Sequence, residues 1–390
     1  MKYTIPYGKQ HITQEDEAAI IKALHHDYLT QGPMVKEFEE NFSNFVGSKY
    51  ASAVSNGTAA LHLCAMALGV NKHSHVITSP ITFSASANCV RYCGGTVHFV
   101  DIDEKSATLD INKVEDYIKA NPNIKFSGII PVDFAGYAVN LEDFRSLADK
   151  HNLWIIEDAC HAPGASFKNS NGKLNMAGNG AYADLSIFSF HPVKHIACGE
   201  GGMITTSNEA LKEKVDKLRT HGISKNVNEL QENHGGWYME LQELGYNYRM
   251  PDLLCALGNS QLKSINSNLE NRRKIAKTYN DAFVDMHISL PSNKLIEAHA
   301  FHLYVIQTEF RKALYDDLRK LGIYAQVHYI PVHLMPYYKQ FGWKKGDLPI
   351  AESYYERCLS IPMYHSLESN KQAYVIDNVK TLLKSYSTPS

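Results

Sequence analysis

Hydrophobic and polar positions along this chain switch repeatedly between a period of two and a period of three to four. Helical spacing marks residues 12–28, with Ile20, Ile21 and Leu24 as the apolar stripe and Thr13-Gln-Glu-Asp16 as the capping sequence, and then 35–45, with Phe38, Phe42 and Phe45. Tyr50-Ala-Ser-Ala-Val54 reads as a strand running into an alanine- and leucine-rich helix that Gly69 closes. Val76-Ile-Thr78 repeats the pattern of strand, polar loop and helix. Val97–Asp103, Ser127–Asp133 and Leu153–Asp158 read as buried strands, and a helix over 141–151 starts at Asn140. This alternation from 50 to 205 predicts an α/β fold with a central, mainly parallel sheet and helices on both faces. Beyond 206 the order changes. A helix over 270–283, strands over 302–307 and 324–328, and helices over 311–321, 351–358 and 371–386 predict a small α+β unit. The expected division is 1–260 and 261–390, with residues 1–12 lying against the smaller part.

One stretch concentrates the chemistry: Asp184-Leu-Ser-Ile-Phe-Ser-Phe-His-Pro-Val-Lys-His-Ile-Ala-Cys-Gly-Glu-Gly-Gly-Met203. It alternates as a strand to Phe190, with Leu185 and Ile187 on one face and Ser186, Phe188 and Phe190 on the other. Pro192 breaks it, because proline has no N–H for a ladder. Lys194 follows in apolar company, then Gly199, Gly201 and Gly202, which suit a turn that lets backbone approach a ligand. A lysine in such a turn is either an ordinary surface residue or, if desolvated, a nucleophile toward a carbonyl.

Composition narrows the field. The 390 residues are 44% hydrophobic and 21% charged, as in a globular enzyme-sized protein. A net charge of −2 supplies no field for nucleic acid or an anionic membrane. The run 212–219 reads as the solvated face of a helix. No segment reaches membrane-spanning length, the N-terminus lacks an apolar leader, and seven scattered cysteines suit a reducing cytoplasm. Nineteen histidines occur without a ligand-type spacing, so no metal site is expected.

Three features stand in order on the α/β pattern. Ser55-Asn-Gly-Thr58 sits at a helix start, where free N–H groups favour an anion, although ordinary N-capping explains the same residues. Asp158 ends an apolar strand beside Glu157, at the edge where open α/β sheets bind ligands. Lys194 follows. Phe83, at another strand end, could lie on a planar ligand or belong to the core. Pyridoxal phosphate (PLP) needs such a set: a lysine for its aldehyde, a carboxylate for its ring nitrogen and N–H donors for its phosphate.

Ser55-Asn-Gly-Thr-Ala-Ala-Leu61, Glu157-Asp-Ala159, Ser189-Phe-His-Pro-Val-Lys194, Gly199-Glu-Gly-Gly202 and Gly245-Tyr-Asn-Tyr-Arg249 resemble the DegT/DnrJ/EryC1/StrS nucleotide-sugar aminotransferases over nearly the whole chain. The resemblance implies the aspartate-aminotransferase (type I) fold. It implies that Lys194 bonds the cofactor and shuttles a proton, Asp158 pairs with the ring nitrogen and Phe83 stacks on the ring. Gly57, Thr58, Ala59 and Ser189 would surround the phosphate, and His161 stands where many relatives carry glutamine near the 3-hydroxyl. Asn247 would reach the neighbouring subunit's phosphate, so a homodimer with shared sites is implied. Ile5-Pro-Tyr7, 27–33 and 326–333 look most like the pseudaminic-acid branch, which implies L-glutamate as donor and C4 of a UDP-linked 4-keto-6-deoxy N-acetylhexosamine as acceptor. Tyr7, Thr30, Arg249, His328 and Tyr329 are then the substrate-contact candidates; a strand-end polar pair is the other reading of His328 and Tyr329. A dTDP- or GDP-linked sugar, or C3 amination, is the alternative within the family. A dehydratase branch would carry histidine in place of Lys194. A desulfurase would call for a mobile, exposed cysteine, and a non-enzymatic ligand sensor would most simply carry an added DNA-binding region.

Overall fold

The computed structural model describes residues 3–291 and 296–387. Its centre is a seven-stranded sheet in the order Tyr50–Val54, Gly202–Thr206, Leu185–Ser189, Trp154–Asp158, Phe126–Ile130, His75–Thr78, Thr96–Phe99. Gly202–Thr206 is antiparallel to both of its neighbours, and the other pairings are parallel. The period-two pattern sorts the strands' side chains into two cores. Ile129, Ile155, Phe188 and Met203 join the helix residues Phe38 and Phe42 on one face. Ile130, Ile156, Ile187 and Ile204 join Leu61 and Leu63 on the other. Both faces are covered by helices, as parallel sheets require.

A third apolar cluster joins Tyr279, Phe283, Phe301, Tyr304, Leu314, Leu318, Val375 and Val379. Here Tyr304–Gln307 pairs antiparallel with Cys358–Ile361. Ile5–Pro6 pairs in parallel with Ile323–Tyr324, which buries Ile5 in the same cluster; residues 1 and 2 lie outside the described ones. The chain between 332 and 358 clamps back onto the central sheet. Val332 N–H donates to Pro80 C=O, and Ile350 and Ala351 N–H donate to the Asp101 carboxylate at 2.9 and 2.8 Å.

Several local readings need correction. The first helix spans only Gln14–Leu24; its Thr13–Asp16 capping box forms, but Ile21 and Leu24 are exposed, while Ala23 and Asp16 are buried. Asp16 accepts from Gln261 Nε2, so the helix packs through a polar contact. The helix Glu209–Leu218 does not leave its following arginine in solvent, because Arg219 turns inward to Glu39, Asp216 and the Ala53 carbonyl. The strand expected over 324–328 stops at Tyr324; Gln326 makes one bridge to Ser360, after which His328 and Tyr329 line the cavity described next.

Candidate active site

The carboxyl ends of Tyr50–Val54, Trp154–Asp158 and Leu185–Ser189 open into a cavity of about 670 Å³. Its walls include Gly57, Thr58, Ala59, Phe83, Asp158, His161, Ser189 and Lys194 from the sheet side, and Tyr7, His328 and Tyr329 from the other. Residues from Tyr7 to Tyr329 thus meet in one cavity. Thr30 and Asn247 do not line this cavity and are exposed, and Arg249 is half-buried outside it on a backbone bridge to Val54.

The helix Gly57–Ala67 begins against the sheet, where a side chain has little room. A Cβ on Gly57 would stand 3.0 Å from Ser189 Cβ, and one on Gly202 would stand 2.7 Å from the Asn56 carbonyl. The close approach that Gly202 permits is therefore to the chain's own helix start. The N–H groups of Gly57 and Thr58 have no acceptor among the described residues, whereas Ala59 N–H is taken by Asn56 Oδ1 at 2.8 Å. Capping and a free anion cradle coexist: Asn56 satisfies the third N–H and leaves the first two open. Ala59 lines the cavity without a free donor.

Asp158 is buried and held from two sides. Ser86 Oγ donates to Oδ2 at 2.6 Å and Cys160 N–H donates to Oδ1 at 3.2 Å. Each oxygen keeps a further lone pair. Glu157 does not share this outlook, because neighbouring strand residues face opposite ways. It is buried, accepts from Gly178 N–H, and sits beside buried Asp133, whose Oδ1 accepts from Val139 N–H. Burial, with the neighbouring carboxyl second, pushes the Asp133 acid well above its usual range. Burial also raises Glu157.

Lys194 lies in the turn after Leu185–Ser189, with its N–H bonded to His191 C=O. Burial lowers its ammonium pKa to about 8, against the opposing effects of Cys160 and Asp158. Its Nζ is 3.4 Å from His302 Nε2. His161 is fixed at both ring nitrogens: Ala135 N–H donates to Nδ1 at 3.2 Å, and Nε2 lies 3.3 Å from the Tyr329 hydroxyl. A backbone donor makes Nδ1 the bare nitrogen, and burial holds the ring neutral, so Nε2 carries the proton. His328 Nδ1 lies 2.8 Å from Ser360 Oγ, and its ring is 5.0 Å from that of Tyr7. Phe83 is 62% exposed at the rim, a level no core phenylalanine shows.

Sequence reasoning missed Ser86, His302 and Tyr248. Tyr248 lines the cavity, stacks on Tyr246 and lies 3.2 Å from His62 Nδ1. It stands inside the Gly245–Arg249 motif, so a signal existed. For Ser86 and His302, which reach Asp158 and Lys194 only through folding, none did. Among the described residues no helix is long and apolar enough to cross a membrane, and all seven cysteines are unpaired.

Comparison with known proteins extends the geometry. The sequence profile of the DegT/DnrJ/EryC1/StrS aminotransferase family matches residues 10–380. The spore coat polysaccharide biosynthesis protein SpsC of Bacillus subtilis is 38% identical over 389 residues, covering 97% of each chain. The UDP-4-amino-4,6-dideoxy-N-acetyl-beta-L-altrosamine transaminase of Campylobacter jejuni is 37% identical over 388 residues, covering 97% of this chain and 98% of that one. Helicobacter pylori PseC, an aminotransferase involved in the biosynthesis of pseudoaminic acid, superposes with a TM-score of 0.88 at 30% identity, covering 98% of this chain and 100% of PseC.

Proposed function

The chain belongs to the DegT/DnrJ/EryC1/StrS aminotransferase family and is a PLP-dependent sugar aminotransferase; on that premise we propose that it moves the amino group of L-glutamate to C4 of a UDP-linked 4-keto-6-deoxy N-acetylhexosamine. The observation that carries the site assignment is the shared cavity. It gathers a lysine amine, a carboxylate with spare lone pairs and two free helix-start N–H groups. The substrate assignment is supported by the Campylobacter relative, whose name specifies a UDP-linked 4-amino-4,6-dideoxy sugar, and by PseC.

The cavity fits the cofactor on its own terms. Gly57 and Thr58 N–H, with the Ser189 hydroxyl at the end of its strand, would hold the phosphate, and the positive end of the helix dipole adds to that attraction. Asp158 would hold the ring nitrogen, kept in place by Ser86 and Cys160 N–H. Phe83 would cover one ring face, and His161, its Nε2–H facing the Tyr329 hydroxyl, would stand near the ring hydroxyl. When bound, PLP supplies a carbonyl for amine exchange and a ring that withdraws electrons from the adjacent carbon. Lys194, with its pKa lowered to about 8, would hold the cofactor through Nζ and would accept and return a proton at that atom. Tyr7, His328 and Tyr329, on the opposite wall, would contact the sugar.

The same proposal makes the enzyme a homodimer. Asn247 and Thr30 are exposed, away from their own chain's cavity, and Ile21, Leu24, Tyr28, Leu29 and Trp237 present apolar surface. Asn247, Thr30 and Arg249 would then serve the neighbouring subunit's site. Division at about residue 260 is supported by the third apolar cluster, which Ile5 joins. Turnover of a panel of UDP-, dTDP- and GDP-linked keto sugars tests the substrate, with NMR locating the new amine. C4 amination of the UDP compound is expected, and turnover only outside the UDP set overturns the assignment. Sedimentation should give a dimer; a monomer with full activity refutes shared sites.

A further inference from the structure

Four histidines crowd the lysine that the mechanism uses, and three come from outside its own turn. His302 Nε2 lies 3.4 Å from Lys194 Nζ, the His302 ring is 4.3 Å from that of His161, and the His195 ring is 5.8 Å away. His328 also lines the cavity. His302 is 4% exposed. It is delivered by a rigid backbone splice: Ala300 N–H donates to Gly136 C=O at 2.9 Å, Leu303 N–H to Ala135 C=O at 3.2 Å, and buried Arg272 donates to Phe301 C=O at 3.0 Å. The splice leaves no slack, since a Cβ on Gly136 would meet Phe301 N at 2.8 Å and His302 N at 3.0 Å. This is a side chain placed with care against the reacting nitrogen, and the transamination steps above give it no role.

We propose that His302 is a positioning residue for Lys194: an imidazole that covers the lysine nitrogen, keeps water from it and fixes where it sits in the cavity. The inference rests on the reading of Lys194 as the cofactor's covalent partner. An imidazole in this place can stay neutral because it is buried among basic side chains. Burial lowers the affinity of His302 for a proton, and Lys194, His161, His195 and Arg272 add to that in turn. His161, His195 and His328 are lowered likewise, chiefly by burial. The other groups facing the lysine are Asp158 and Cys160, which favour its charged form. Tyr7 and Tyr329 on the opposite wall have hydroxyls that burial keeps protonated. His191 and Glu200 are exposed at the rim. His302 Nδ1 is buried without a partner among the described residues. That vacancy would cost far more with a charged ring than with a neutral one.

The test is competitive acetylation of the full-length protein, without cofactor, read by mass spectrometry at Lys194 across pH 6 to 11. In the unaltered protein the midpoint for Lys194 should fall near 8, well below that of surface lysines. His302→Ala, which admits water, should raise the midpoint by about one unit, leaving about tenfold less reactive amine at neutral pH. His302→Phe, which keeps the cover, should not raise it. An unchanged midpoint in folded His302→Ala overturns the proposal. If that variant does not fold, hydrogen exchange at the imidazole C2 of the unaltered protein decides, because its rate follows each ring's protonation. An inflection for His302 well below the ordinary histidine value is expected, and titration near 6.5 overturns the idea. Borohydride reduction with PLP separates the two readings: a tag on another lysine removes Lys194 from its role, whatever the His302 result.

Discussion

Gly202→Ala probes how tightly the sheet holds the anion cradle. The added Cβ would lie 2.7 Å from the carbonyl carbon and oxygen of Asn56 and 3.0 Å from the Gly57 nitrogen. An ordinary carbon–carbon contact is about 3.5 Å, so the helix start must retreat by roughly 0.8 Å. These are backbone atoms and cannot swing aside like the end of a side chain. Overpacking of this kind costs about 1–3 kcal/mol. Because the displaced atoms are those that present Gly57 and Thr58 N–H, the loss should fall on phosphate binding as well as stability. A penalty of about 1.4 kcal/mol lowers affinity about tenfold. The assay is titration of the cofactor-free protein with PLP, alongside chemical denaturation of the same sample. Gly199→Ala is the control: it carries a positive φ but meets nothing within 4 Å, so its strain stays in the turn. A Gly202→Ala protein that binds PLP as tightly as the parent would refute the reasoning.

Two further outcomes are expected. The rate at which cofactor-free protein forms a borohydride-trappable PLP adduct should rise with pH and level off above about 8, because only the neutral Lys194 amine attacks; a rate still climbing toward the ordinary lysine value of about 10.4 would contradict the burial argument. Asp133→Asn should flatten the pH dependence of stability. The Asp133 acid is raised in the folded state, so its stabilising protonated form is complete below the unfolded value of about 3.9 and is lost as pH rises through the folded one. Asparagine keeps the acceptor for Val139 N–H without that loss, and denaturation midpoints that still fall with pH as steeply as the parent's would refute it.

What the sequence determined by itself is what short-range physics encodes. Alternation in Leu185–Phe190 assigned its two faces correctly, because side-chain period follows from the strand backbone alone. The Thr13–Asp16 box and the Asn140 cap formed because capping needs only neighbours. Lys194, Asp158 and the Gly57–Thr58 start could be paired because each stands at a strand or helix end. The tertiary structure decided the rest. Alternation puts Glu157 and Asp158 on opposite faces, but nothing local says that Asp133 meets the one and Ser86 the other. The same holds for Thr30 and Asn247, which face outward. His302 is 108 residues from Lys194 and reads as the first residue of a strand. Its place beside the amine depends on how closely Phe301 and His302 can approach Gly136, and a distance between two distant backbones is written in no local pattern.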